Sequence, residues 1–395
     1  MTAAAAESAT MTITYEATVG TGCEFIAVEE CQQKLSPKTV RQMDGRVFIE
    51  TDRPVAEVLQ LKSCDNIYVV IYDKEFTDDF PAATDSAGDD LRQLLARVSS
   101  DCQWESGLRI WSETFGWNKC QLNTILDTNC TADNSELIEL KPAFRVTCNR
   151  TGSRHKFTSN ECASHLGAVI NETYRWKVSM KQFDIEVVLT IKDRHLYVGL
   201  ALTRESLHKR NLVVFGPTSL KSTVAFHMLW MANIQCGDLV CDPMCGSGAI
   251  PIECLHNWPT FGLSGDNHPV AVERTQMNNG HNQSLVDVIR FDVRALPLRT
   301  NSVDVFCTDL PFGKRLGSKH DNRTLYPALL IELSRCSRAG TGRMVLLTQD
   351  KRNMNYSLGN PAVKKYWKIV RTMFVRIGGL DASIFVARRN AVPFE

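Results

Sequence analysis

The sequence predicts an α/β protein whose C-terminal half is a doubly wound, mostly parallel sheet closed by a terminal antiparallel hairpin, preceded by two smaller α+β units. Three observations carry that expectation. From Thr218 onward strands, loops and helices alternate regularly, with strands expected at Leu239–Cys241, Phe261–Ser264, Val286–Phe291, Val303–Thr308 and Met344–Thr348. The first of these strands runs straight into a glycine turn, Asp242-Pro243-Met244-Cys245-Gly246-Ser247-Gly248, ahead of a helix. Near the end the rhythm breaks into Ile369–Ile377, Gly378-Gly379 and Leu380–Ala387, the pattern of a hairpin.

The earlier chain reads as follows. Strand-like segments at Ile13–Val19, Arg46–Thr51, Asn66–Tyr72 and Leu108–Phe115 alternate with helices at Glu24–Leu35 and near Asp89–Val98. Periodicity then fades from Gly116 to Pro142, as in a linker. A second unit opens with Phe144-Arg145-Val146-Thr147-Cys148, continues through a helix at Asn160–Glu172, and ends in strands at Phe183–Ile191 and His195–Leu202. The expected domains are therefore 12–115, a linker over 116–142, 143–203, and 209–395.

A chain of 395 residues with 44% hydrophobic and 23% charged content has ample material for several cores and is not disordered throughout. No basic stretch leads into an apolar core at the N-terminus, and no apolar run approaches the ~20 residues that cross a bilayer. A protein of the cytosol or nucleus is expected, with no membrane association. The fourteen cysteines are scattered and several sit in hydrophobic segments, which argues for reduced, buried thiols. Cys241 and Cys245 lack a second ligand pair at zinc-finger distance, so no metal is expected in this chain.

A net charge of +1 excludes a uniformly basic nucleic-acid binder, but charge is segregated. Between Lys141 and Lys181 stand Arg145, Arg150, Arg154, Lys156, Arg175 and Lys177, opposed only by Glu161 and Glu172. Such a segment is either a solvated face or a surface for phosphates.

The glycine turn names a ligand class. Gly246 and Gly248 allow a tight turn and a close approach of ligand to backbone. A dinucleotide fingerprint needs a third glycine where Pro251 stands. Asp242 would also repel a pyrophosphate and suits a cationic, amino-bearing ligand. The next strand ends in Gly265-Asp266-Asn267, placing Asp266 to accept from ribose hydroxyls, and the third in Phe291-Asp292-Val293, where Asp292 can accept from an adenine amine. Each Asp alone is an ordinary strand-end turn residue. Together with Met244, Ser247 and the glycines they outline a site for S-adenosylmethionine, and the closing hairpin resembles methyltransferases more than dehydrogenases.

The fourth strand leads into Asp309-Leu310-Pro311-Phe312-Gly313-Lys314-Arg315. Methyl transfer to an aromatic amine is opposed by delocalisation of the nitrogen lone pair into the ring. Asp309, helped by the carbonyl of Leu310 or Pro311, can hold the amine hydrogens and favour charge on nitrogen. Pro311 stiffens the turn, Phe312 can stack on a flipped base, and Lys314 and Arg315 can meet phosphate. Carbon-5 pyrimidine methylation would need a nucleophilic cysteine within this loop, whereas Cys307 precedes it in a strand.

Several ordered segments resemble the THUMP-domain tRNA guanine-N2 methyltransferases. They are Phe144–Asn149, Lys177–Val187, Glu205–Val214, Gly216–Leu229, Asp242–Glu253, Leu296–Asp304 and Asp309–Lys319, spanning over half the chain. The resemblance implies a ferredoxin-like N-terminal domain, a THUMP domain gripping the acceptor end of tRNA, and a Rossmann-like class I methyltransferase domain. It implies methylation of guanine N2 at position 6 of the acceptor stem, with position 7 as a second candidate. It also implies a heterodimer with a small zinc-binding activator subunit that pairs with the catalytic sheet. Thr218 and Leu220 fall in a segment similar to the one that leans over the cofactor in that family, and Arg145, Arg150, Arg154, Lys156, Arg175, Lys177 and Lys181 fall in the RNA-gripping unit. Amine methyltransferases commonly read Asn or Asp, Pro, Pro, aromatic at the catalytic turn, and Leu310 replaces the first proline. A catalytically inactive tRNA-binding subunit, or an amine methyltransferase for another target, remains the alternative.

Overall fold

The computed structural model describes residues 12–77, 87–128, 140–152, 155–311 and 319–395. Phe312, Lys314, Arg315 and Arg154, all singled out above, lie outside the described residues.

Two sheets organise the chain. The first contains β1 (Ile13–Thr18), β2 (Thr39–Met43), β3 (Arg46–Thr51), β4 (Asn66–Glu75), β5 (Ala143–Thr151), β6 (Lys177–Val178), β7 (Ile185–Lys192) and β8 (His195–Ala201), in the order β2-β3-β1-β4-β8-β7-β5-β6. The two N-terminal units are thus one continuous sheet, joined where β4 pairs antiparallel with β8 from Tyr68 opposite Ala201 to Glu75 opposite His195. Helices α1 (Glu24–Leu35), α2 (Val55–Val58), α3 (Ala87–Asp101), α4 (Trp104–Phe115), α5 (Lys119–Leu126) and α6 (Ser159–Tyr174) complete this half.

Three expectations fail here. Leu108–Phe115 is not a strand but the end of α4, which buries Trp104, Gly107, Leu108 and Trp111 at helical spacing. Gly107 makes that packing possible, because a Cβ there would sit 2.2 Å from Ile71 Cγ2 on β4. The stretch read as a linker contains α5, started by a reciprocal capping box between Asn118 and Gln121. Lys141 is likewise not part of a phosphate surface. It is buried, and its ammonium donates to the Thr124 and Asp127 carbonyls at the end of α5.

The second sheet contains β9 (Leu239–Asp242), β10 (Phe261–Asp266), β11 (Val286–Arg290), β12 (Val305–Asp309), β13 (Arg343–Thr348), β14 (Trp367–Ile377) and β15 (Leu380–Arg389), ordered β11-β10-β9-β12-β13-β15-β14. Strands β9 to β13 pair in parallel, and β15 returns antiparallel to β13, as the terminal hairpin predicts. Helices α7 (Ser222–Met231), α8 (Ala249–Asn257), α9 (Pro269–His281), α10 (Lys319–Cys336), α11 (Lys351–Gly359) and α12 (Pro361–Lys364) flank it. No described helix is long and apolar enough to cross a membrane.

Helix α7 ties the halves together. Its apolar residues Phe226, Met228 and Leu229 belong to the same buried cluster as Ile26 and Leu61 of the N-terminal half. Asp65, just ahead of β4, accepts from Thr223 at 2.7 Å and pairs with Lys221 at 3.0 Å. Burial pushes His227 down to about 4, so its ring is neutral and Nε2 donates to the Ser63 carbonyl at 2.8 Å. The Arg210 guanidinium spans the junction, pairing with fully buried Glu253 at 2.6 Å and donating to the Lys62 carbonyl at 2.8 Å.

Candidate active site

Because β11, β10, β9 and β12 are neighbours in the sheet, the four acids expected from the sequence come together at one edge. Asp242, Asp266 and Asp309 end β9, β10 and β12, and Asp292 stands two residues past β11. The fields of three of them overlap. Asp266 acts on the Asp242 carboxyl and Asp242 on that of Asp309, in each case favouring the protonated acid.

The glycine loop is built as its residues require. Gly246 and Gly248 adopt φ of +57° and +83°. A Cβ on Gly248 would lie 2.8 Å from Thr275 Cγ2, whereas nothing lies within 4 Å of one on Gly246, whose backbone a ligand can approach. Asp242 is buried and accepts from the Met244 N–H at 3.1 Å. Burial pushes its carboxyl up to about 7, against the Thr308 hydroxyl and Met244 N–H that favour the ionised form. Asp266 braces the loop, accepting from Gly246 N–H at 3.2 Å and His268 N–H at 2.9 Å. Asn267 beside it is exposed. Asp292 is paired with Arg294 at 2.5 Å, and that guanidinium holds its carboxyl below the usual range.

The segment carrying Thr218 and Leu220 is fastened to this loop. Gly216 N–H donates to the Ser247 hydroxyl at 3.1 Å and to that of Ser219 at 2.7 Å, and the two hydroxyls are 2.7 Å apart. Fully buried Asn278, missed by the sequence reading, does the rest. Its Oδ1 accepts from Val213 and Val214 N–H, both at 2.9 Å, and its Nδ2 donates to the Val214 and Ser247 carbonyls, both at 2.9 Å. Asn278→Ala should lower stability by roughly 2–4 kcal/mol, because truncation leaves buried backbone groups unpartnered. Chemical denaturation measures it, and a loss under about 0.5 kcal/mol would refute this bracing role.

At the turn after β12, Asp309 Oδ1 is buried and has no hydrogen-bond partner among the described residues. Burial first, and then the Asp242 charge, push its carboxyl well above the usual range. Leu310 donates its N–H to the Leu347 carbonyl at 2.9 Å and packs its side chain in a cluster with Phe306 and Tyr326. The Pro311 carbonyl is already engaged, by Asn322 Nδ2 and the Tyr326 hydroxyl, each at 3.0 Å. Tyr326 in turn lies 2.7 Å from the Thr348 hydroxyl at the end of β13. Asn322, Tyr326 and Thr348 carried no sequence signal beyond polarity inside apolar elements.

Of the cations expected to meet RNA, Lys156, Arg175, Lys177 and Lys181 are exposed. Arg145 is committed to Glu186 at 2.8 Å and lies 4.0 Å over the Phe183 ring, while Arg150 donates to the His155 carbonyl at 3.4 Å.

A parallel sheet in this order with its antiparallel closing hairpin, a glycine turn after β9 and an acid-led turn after β12 defines a Rossmann-like methyltransferase, and the chain is an enzyme of that class. Residues 210–382 match the family model described as "RMKL-like, methyltransferase domain", and residues 122–201 match the THUMP domain, whose start falls in α5. The chain belongs to the THUMP-domain methyltransferase family. It is 36% identical to tRNA (guanine(6)-N(2))-methyltransferase THUMP3 of Bos taurus, over 98% of this chain and 90% of the relative. It is 23% identical to U6 snRNA (guanine-N(2))-methyltransferase THUMPD2 of Bos taurus, over 84% of this chain and 78% of that protein. The crystal structure of TrmN from Thermus thermophilus superposes with a TM-score of 0.75 at 22% identity, covering 95% of this chain and 99% of that one.

Proposed function

We propose that this protein transfers a methyl group from S-adenosylmethionine to the exocyclic N2 of a guanine in tRNA, at position 6 of the acceptor stem, with position 7 as a second candidate, and acts in the cytoplasm. The observation that carries the chemistry is the buried, unpartnered Asp309 Oδ1 at the catalytic turn. The cofactor suits the donor set: a buried acid at Asp242 for its cationic amino-acid end, open backbone at Gly246, Asp266 and Asn267 for the ribose, and Asp292 for the adenine amine. Met244, Ser247, Gly248, Thr218 and Leu220 complete that wall. When bound, S-adenosylmethionine supplies an electrophilic methyl group on a sulfonium.

The chain's own work is to prepare the nucleophile. Asp309 Oδ1 accepts one N2–H hydrogen bond. With the Pro311 carbonyl held by Asn322 and Tyr326, the second N2–H falls to the Leu310 carbonyl. That is why leucine in place of proline is tolerable there: the position supplies a backbone oxygen and fills a core. Both acceptors draw the nitrogen lone pair out of conjugation and stabilise its growing positive charge. Phe312 is assigned to stacking on the base, and Lys314 and Arg315 to nearby phosphates.

RNA is held at a distance by the THUMP half, where exposed Lys177 opens the edge strand β6 and exposed Lys181 follows three residues after it. Arg175 stands two residues before Lys177 and is exposed with it, and Lys156, Arg145, Arg150 and Arg154 are assigned to the same RNA contact. The double variant Lys177→Glu/Lys181→Glu should weaken tRNA binding about tenfold or more near physiological salt and flatten its salt dependence. Filter binding across a salt series measures this, and an unchanged slope would remove these lysines from the interface. A zinc-binding activator subunit is assigned to an edge of the second sheet. There the outer strand β11 is unpaired on one side, and Leu285 just before it is 90% exposed, with Phe261 and Met277 exposed nearby.

Nucleoside mass spectrometry after incubating the protein and activator with unmodified tRNA tests the function. N2-methylguanosine is the expected product. N6-methyladenosine or N4-methylcytidine would overturn the guanine assignment, product only with a small nuclear RNA would overturn the tRNA assignment, and no product with intact tRNA binding would favour a non-catalytic subunit.

A further inference from the structure

Among the described residues, buried polar atoms without hydrogen-bond partners gather around the turn after β12: besides Asp309 Oδ1 and Asn322 Oδ1, they include Gln349 Oε1 and Asn353 Nδ2. Each such atom is destabilising, so several near one turn call for a reason. Asp309 has one in the amine. Asn322 braces the Pro311 carbonyl through its Nδ2, and the remaining two, Gln349 Oε1 and Asn353 Nδ2, follow β13 at the same sheet edge.

Their placement follows from the strand register. Asp309 lies opposite Leu347 on β13, and Leu310 N–H bonds the Leu347 carbonyl at 2.9 Å. Gln349 is two residues further along that strand direction and therefore level with Pro311. The residue between, Thr348, is tied through Tyr326 to the Pro311 carbonyl and accepts from Asp350 N–H at 2.9 Å. Asp350 caps α11 by accepting from Asn353 N–H at 3.2 Å, which fixes Asn353 in the first turn, over the same edge.

Of these last two atoms, Gln349 Oε1 is an acceptor and Asn353 Nδ2 a donor. A guanine whose N2 is held by Asp309 presents N1–H, a donor, and O6, an acceptor, along the rest of its Watson–Crick edge. Adenine and cytosine carry a ring-nitrogen acceptor next to their amine instead. We infer that Gln349 Oε1 accepts from guanine N1–H and Asn353 Nδ2 donates to O6, making this pair the determinant of base specificity. The inference rests on the guanine-N2 reading above and deepens it.

The test uses two otherwise identical RNA substrates, with guanine or 2,6-diaminopurine at the target position, and the full chain with its activator. Both bases carry the 2-amino group, but diaminopurine reverses the donor and acceptor at positions 1 and 6. Wild-type protein should favour guanine by at least about tenfold in kcat/KM. Gln349→Leu and Asn353→Leu should each lose about tenfold on guanine, change little on diaminopurine, and so collapse the preference. Gln349→Met, which keeps the side-chain length, replaces Gln349→Leu should that variant fail to fold, and Asn353→Ala replaces Asn353→Leu, as judged by their melting curves. A guanine preference unchanged in the variants overturns the inference while leaving the guanine-N2 reading standing. Wild-type protein that methylates neither RNA overturns that reading and the inference with it.

Discussion

Asp309→Ala is expected to lower kcat by roughly a hundred- to a thousandfold, the range for removing one preorganised group that stabilises transition-state charge. Cofactor affinity and fold should be untouched. The stability sign follows from its surroundings. Burial and the neighbouring Asp242 raise the Asp309 carboxyl well above its ordinary value in the folded protein. A raised acid contributes stability that is present while it is protonated below its unfolded value and lost as pH rises toward the folded one. Removing it therefore relieves a penalty in neutral or alkaline solution, and the alanine variant should melt at or above the wild-type temperature at pH 8. Activity and stability are thus expected to move in opposite directions, which a merely structural aspartate would not do. The same logic sets the pH profile. The ionised carboxylate is the form that stabilises positive charge on N2, so wild-type kcat should climb as pH rises through the Asp309 titration. Asp309→Asn, which keeps an acceptor but no charge, should be slow and flat. An alanine variant within threefold of wild type would remove Asp309 from the chemistry.

What the sequence made legible was local. The glycine turn, the acids after successive strands and the Gly378-Gly379 hairpin are each written in a few adjacent residues, and all stand in the structure where they were expected. The misread α4 shows the limit of periodicity. Leu108 and Ile110 alternate with polar neighbours as a strand would, and only Trp104, Gly107, Leu108 and Trp111 together reveal the helical face. The Asn118 and Gln121 capping box could have exposed α5 inside the supposed linker. Pairing of β4 with β8 was beyond such reading, because it depends on contacts between residues more than a hundred positions apart. Buried polar braces are the hardest class. Asn278, Asn322 and Tyr326 gain meaning only from the backbone groups they meet. Lys141 is the converse: one more positive charge in a basic run, until the fold turns it inward onto the end of a helix.

Asp242→Asn is expected to weaken S-adenosylmethionine binding by about ten- to a hundredfold at pH 8, with a smaller difference at pH 6. The reason is a buried acid waiting for a cation. In the ligand-free protein, burial raises Asp242 from 3.8 to about 7. Between those values the unfolded chain is ionised and the folded one is not, so folded-state stability falls as pH rises across that window and then levels off. The asparagine variant escapes that loss and should be the more stable protein at pH 8. A ligand bearing an ammonium and a sulfonium reverses the balance, since it is attracted to the carboxylate and not to the acid. Binding below pH 7 must therefore drive a proton off Asp242, and wild-type affinity should rise as pH passes through about 7. Calorimetry in buffers of different ionisation enthalpy reads this directly: close to one proton released per cofactor near pH 6, close to none near pH 8.5, and none at either pH for the variant. Proton release that the asparagine variant retains would assign the titration to another group. Equal wild-type affinity on both sides of neutrality would mean that Asp242 does not meet the cationic end of the ligand at all.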